Sequence, residues 1–107
     1  MSNTINSEIY AAVVGKYCVI RGRGFGVFAG TVDTIDGDLI LVKDARRLWY
    51  WDGAASISQI AADGVKNPGG CKFSMAVESV LLRDFIEIIP CTEQARKIIE
   101  GVKEWKR

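Results

Sequence analysis

The 107-residue chain contains no histidine. That absence excludes Ser-His and Cys-His catalysis, histidine-ligated zinc and an imidazole pH switch. Charge of one sign is also missing: fourteen Lys and Arg face thirteen Asp and Glu, a net charge of +1. Duplex-DNA binders need a strong basic surplus to neutralise phosphates, so the balance argues against that class. No stretch approaches the ~20 consecutive apolar residues that span a bilayer. The N-terminal MSNTINSEIYAAVVGK has neither a basic start nor an apolar run long enough for a signal peptide. A soluble, cytoplasmic protein without membrane contact is expected. The three cysteines, Cys18, Cys71 and Cys91, are odd in number and far apart. They make neither a CxxC pair nor a disulfide framework, and read as small buried hydrophobes. A P-loop and an S-x-x-K motif are absent too, and no metal-ligand set or cofactor motif stands out. These gaps lean away from an enzyme.

What is present suits one soluble globular domain over residues 1–107, with 49% hydrophobic and 25% charged residues. Ser7 reads as the N-cap of a short helix over 7–14, with Ile9 and Val13 on one face and Gly15 as its stop. Alternation then replaces helical period. Residues 17–23 (YCVIRGR) and 25–35 (FGVFAGTVDTI) read as strands, and Asp36-Gly37 signals a two-residue hairpin. Residues 38–43 (DLILVK) return as a third strand, and Asp44-Ala45-Arg46-Arg47 leads into LWYW as either a bulged continuation or a further strand. Ser56 and Gln59 have capping-box spacing for a helix over 57–64. A loop at Asn67-Pro68-Gly69-Gly70 precedes strand patterns at 72–77 and 80–89. Thr92 caps a terminal helix over 92–105, with Ala95, Ile98, Ile99, Val102 and Trp105 along one face. Short strands, tight turns and no helical crossovers between the early strands predict an α+β fold. Its centre is a small, strongly bent antiparallel β-barrel, with an N-terminal helix, an inserted short helix and a C-terminal helix.

Two resemblances add to this. The helix over 7–14, VIRGRG, Gly30-Thr31-Val32, Asp33 through Asp38 and LILVKDA follow the layout of Sm-like, and more loosely SH3-like, barrels. VLLRDFIEII resembles the Sm-like pattern in which Arg83-Asp84 sits at the turn between the last two strands. This resemblance implies a barrel and a homo-oligomer, and opens a reading as a single-stranded RNA binder. The run ARRLWYWDGAASISQIAADGV, then CKF and FIEIIPCTEQA, resembles a family of small phage-encoded proteins without assigned activity. That likeness implies a viral gene acting in the host cytoplasm, on a host protein or on a nucleotide second messenger of bacterial immunity.

The strongest local signal is Arg46-Arg47-Leu48-Trp49-Tyr50-Trp51. In a strand, Arg47, Trp49 and Trp51 point one way and Arg46, Leu48 and Tyr50 the other. A guanidinium beside two indoles can grip phosphate while a base stacks, at roughly 1–3 kcal/mol per base. The same residues also read as packing between barrel and helix with solvated arginines, or as a protein-binding hot spot. Arg21-Gly22-Arg23-Gly24-Phe25-Gly26 is a second candidate, since close glycines admit a phosphate to the backbone, or simply let a barrel bend. It lacks the third glycine and following helix of a dinucleotide fingerprint. Arg83 is a further rim candidate beside Asp84, and Asp33, Asp36 and Asp38 read as hairpin chemistry rather than a calcium loop. The expected ligand-binding set is therefore Arg46, Arg47, Trp49, Tyr50, Trp51, Arg21, Arg23 and Arg83. The expected function is noncatalytic sequestration of a small phosphorylated, nucleotide-type ligand.

Overall fold

Strand polarity and the turns between strands organise the molecule. In the computed structural model, which describes residues 8–105, the elements run β1 (Tyr17–Gly22), β2 (Gly26–Asp36), β3 (Leu39–Tyr50), α1 (Ile57–Asp63), β4 (Lys72–Phe73), β5 (Val77–Arg83), β6 (Phe85–Pro90) and α2 (Glu93–Gly101). Residues 8–10 are helical and 11–15 form turns; the expected cap, Ser7, lies outside the described residues. The β2–β3 loop is Gly37-Asp38, one residue later than expected, because Asp36 already pairs with Leu39. Gly37 has φ 62°, the left-handed value a hairpin needs at its first loop position. The strand expected over 72–77 is interrupted: β4 stops at Phe73 and β5 starts at Val77.

All strand pairings are antiparallel, in the order β4–β3–β2–β1–β6, with β5 beside β4 on the same flank of β3. The edges β5 and β6 would stand about 19 Å apart in a flat sheet, at ~4.8 Å per step. A single residue, Asp84, joins them, and one residue spans about 3.5 Å. The sheet is therefore strongly curled. No ladder links β5 to β6, so it curls without hydrogen-bonded closure. Asp84 itself takes φ 63°; its N–H donates to the Asp38 carbonyl and its own carbonyl accepts from Arg23 N–H.

Both faces of the sheet are covered. Cys18, Ile20, Phe28, Val32, Ile40, Val42, Ala45 and Leu82 form one core, joined by Val80 of β5 and by Phe85 and Ile88 of β6. Side chains from both edge strands meet there, so this is the concave face. Tyr17, Val19, Ala29 and Leu48 point the other way and pack under Ile60, Ala61, Phe73 and Ile99, from the helices and β4, and under Val65 and Val102 just beyond the helix ends. Full burial of such side chains contributes about 1.5–3 kcal/mol each.

A bulge in β3 assigns its residues to these two faces. Thr31 and Ala29 of β2 pair with Lys43 and Arg46, so two steps along β2 match three along β3. Asp44, at φ 51°, takes up the extra residue. Before it, Ile40 and Val42 enter the concave core; after it Ala45 does so, while Leu48 joins the helix-side core. Gly30 lies against the bulge. A Cβ there would come within 2.6 Å of Val42 Cγ1 and 2.8 Å of the Lys43 carbonyl oxygen.

Two caps fix the helices. Ser56 Oγ accepts from Gln59 N–H at 3.2 Å, and Gln59 Oε1 accepts from Ala55 N–H at 2.8 Å. Thr92 Oγ1 accepts from Ala95 N–H at 3.0 Å and donates to the Ala62 carbonyl at 2.7 Å, tying the start of α2 to the end of α1. The terminal helix stops at Gly101, short of the expected 105. Trp105 leaves it, its N–H donating to the Phe73 carbonyl at 2.8 Å as the tail runs along β4. No helix among the described residues is long and apolar enough to cross a membrane.

Candidate functional site

The end of β3 and the β1–β2 turn enclose a groove of about 270 Å³ lined by Phe25, Gly26, Val27, Arg47, Leu48, Trp49 and Trp51. Its centre is Arg47. The guanidinium carbon lies 4.3 Å from the Phe28 ring centre and 5.1 Å from that of Trp49, so the planar cation is held between two aromatic faces. Nη1 donates to the Phe25 carbonyl, and the backbone N–H donates to Ser74 Oγ at 2.7 Å. Five side-chain donors minus one leaves four for an incoming anion. Trp49 is 60% exposed, which leaves ring surface for stacking. Trp51 is half-buried, packs against the helix-side core, and contributes its remaining surface to the groove.

The expected trio Arg47, Trp49 and Trp51 thus lines one groove, although Trp51 lies just beyond β3. Trp51 packs on the core, as the packing reading expects, whereas Trp49 stands in solvent. Phe25 and Val27 complete the groove. The expected ligand-binding set omits both, because their role comes from the hairpin folding back; the glycine-rich spacing around Phe25 is the one local signal. A Cβ on Gly22 would lie 2.0 Å from the Phe25 ring, so that glycine admits the ring.

Arg46 does something different. It is only 5% exposed and lies across the sheet from Arg47. Nε donates to the Ser74 carbonyl at 2.8 Å, and Nη1 donates to Ile99 and Val102 carbonyls, both at 2.9 Å. Nη2 donates to the Phe73 carbonyl at 3.5 Å. The Ile99 carbonyl, which also accepts the Val102 N–H at 3.3 Å, and the Val102 carbonyl lie at the end of α2, where the helix dipole is negative. Arg46 therefore clamps helix, β4 and β3 together, and its interception of those carbonyls ends the helix at Gly101. Burial lowers its pKa, opposed by nearby Tyr17 and Glu104. With one donor left it lacks the two-donor fork that a phosphate takes.

The remaining candidates are dispersed. Tyr50 is 54% exposed and lines none of the groove. Arg21 pairs with Glu87 at 3.2 Å and Arg83 with Asp38 at 3.4 Å, both solvent-exposed pairs. Arg23 is exposed at the β1–β2 turn, and its backbone N–H meets Asp84. Arg21 stands directly across from Val27, so those two side chains share a face. Among the described residues no cluster of three or more Cys, Asp or Glu could hold a metal ion. Burial pushes the Cys18 thiol up to about 12 and the Cys91 thiol up to about 11.

Fold and groove together define a small α+β domain with a curled antiparallel sheet and an arginine–aromatic groove at one end. Residues 15–99 match the family described as Domain of unknown function (DUF6948), and the chain belongs to that family. No curated protein matches the sequence.

Proposed function

We propose that this domain is a noncatalytic binder of a small phosphorylated ligand carrying a planar ring. The observation behind the reading is Arg47, fixed between Phe28 and Trp49 with four donors to spare, in a groove that also offers Phe25 and Trp51. The phosphate takes the guanidinium and the ring stacks on the indole of Trp49. Since Arg46 serves the helix, one phosphate per groove is the natural stoichiometry. A nucleotide fits this chemistry, and a phage-encoded sink for a nucleotide messenger of bacterial immunity is the use we assign to it. Such a sink releases its ligand unchanged on denaturation. We read the curled sheet as an opened Sm-like or SH3-like barrel, on the strength of the single-residue passage from β5 to β6. Homo-oligomerisation belongs to the same reading, because β5 and β6 each keep one unpaired edge.

Isothermal titration against a panel of linear and cyclic nucleotides tests the proposal. One member is expected to bind, with Trp49→Ala and Arg47→Met each weakening it at least tenfold, about 1.4 kcal/mol. Absence of heat with every member sinks the idea. Binding to single-stranded RNA that weakens steeply with salt would instead support the RNA reading.

A further inference from the structure

Behind the arginine–aromatic groove, on the helix side of the sheet, lies a second pocket of about 270 Å³ lined by Tyr17, Asp44, Arg46, Ala76 and Glu100. It shares no lining residue with the first. Three independent features converge on it. Tyr17 is 96% buried by its 4% exposure, yet its hydroxyl has no hydrogen-bond partner. Buried hydroxyls without partners are rare and ask for an explanation. Asp44 is held at φ 51° by the β3 bulge, an uncommon backbone state for a residue with a side chain, and its carboxylate is solvent-exposed at the pocket rim with no partner among the described residues. Arg46 retains one N–H after its four carbonyl bonds.

The pocket therefore carries donors and acceptors of opposite kinds. Tyr17 and Arg46 donate. Asp44 and Glu100 accept, Glu100 while also taking the Arg96 Nε–H at 3.2 Å. Burial raises the Tyr17 pKa, with Glu100 adding to the rise, so the phenol stays protonated and able to donate. A single bridging water occupies about 30 Å³ of liquid volume, far less than this space. We propose that the pocket holds a small zwitterion of the α-amino acid type. Its carboxylate takes the Tyr17 hydroxyl and the last Arg46 N–H, and its ammonium group takes the Asp44 and Glu100 carboxylates. The site is separate from the groove of the proposed function, and either can fail alone.

The experiment is a thermal-shift and calorimetric screen of the intact protein against the twenty L-α-amino acids. For any that binds, the methyl ester removes the carboxylate and the N-acetyl derivative removes the ammonium charge. Binding by at least one amino acid is expected, with both blocked forms at least tenfold weaker. Tyr17→Phe should keep or raise the melting temperature of the free protein, because it removes an unpartnered hydroxyl, while weakening binding about tenfold. Asp44→Asn should weaken it similarly, and Trp49→Ala should leave it unchanged. The proposal is overturned if no amino acid binds, if a blocked form binds as well as its parent, or if Tyr17→Phe binds like the wild type.

Discussion

Replacing Arg46 by methionine removes the clamp while keeping most of the apolar stem. Four carbonyl oxygens lose the Arg46 donor: Ser74, Ile99, Val102 and Phe73. Ile99 keeps the Val102 N–H at 3.3 Å and Phe73 the Trp105 N–H at 2.8 Å. Ser74 is half-buried and the Phe73 bond is long, so water and relaxation compensate those two most easily. The Ile99 and Val102 carbonyls belong to residues 0% and 3% exposed. Leaving the Val102 carbonyl unsatisfied costs about 1–3 kcal/mol, and the charge-assisted bond lost at Ile99, which keeps its backbone donor, adds about 1.5. The variant no longer buries a guanidinium, whose lowered pKa records a desolvation cost. That offsets part of the loss and leaves about 2–4 kcal/mol net, against a total stability of about 5–15 for domains of this size. The melting temperature should fall by about 8–30 °C, since 1 kcal/mol shifts a domain of this length by roughly 4–8 °C. Urea titration followed by circular dichroism should show a lower midpoint with an unchanged slope. Hydrogen exchange should quicken first in α2. Arg46→Lys should recover only part of the loss, because an ammonium has three donors on a point and cannot reach four spread acceptors. Arg47→Met, one residue away, should cost about 1–2 kcal/mol, since its side chain gives up one hydrogen bond and two cation–π contacts. An Arg46→Met variant within 1 kcal/mol of wild type, or an Arg47→Met variant less stable than it, would refute this division of labour.

Gly30→Ala should destabilise by about 1–3 kcal/mol in the same urea assay, because the new methyl group meets Val42 and the Lys43 carbonyl at the bulge and both must shift. The thiols set an alkaline limit. Burial raises Cys18 from 9.0 to about 12 and Cys91 from 9.0 to about 11, so the unfolded chain loses these protons first. Their contribution is complete below pH 9 and declines as pH rises through 9 to 12, which denaturation midpoints measured across that range should follow. Both thiols should also resist a disulfide reagent at pH 8 until the protein is unfolded.

Local chemistry in the sequence located many of the structural boundaries. Ser56-x-x-Gln59, Thr92 and Gly37 each act within four residues of themselves, and each does what its type predicts. Alternation likewise separated Arg47 and Trp49 from Arg46 and Leu48. What alternation left out was the destination of each face. Arg46 meets Ile99 and Val102 more than fifty residues away, and no local pattern distinguishes a clamp from a ligand grip. The terminal helix misled for the same reason: its apolar spacing continues through Trp105, yet a side chain from β3 takes its last carbonyls and the backbone turns off at Gly101. The Asp44 bulge was legible only as an alternative to a further strand, because Asp-Ala-Arg-Arg carries no glycine to mark a left-handed residue.

That bulge gives β3 something like a reading frame. Side chains in a strand are read two at a time, one for each face, and Asp44 is the inserted character that shifts the phase midway. Substitutions downstream alter one side chain on one face. A single deletion between Val42 and Arg46 would exchange the faces of everything after it, sending the groove arginine under the helices and the clamp arginine toward the concave core. In this stretch of the chain, length carries more information than identity.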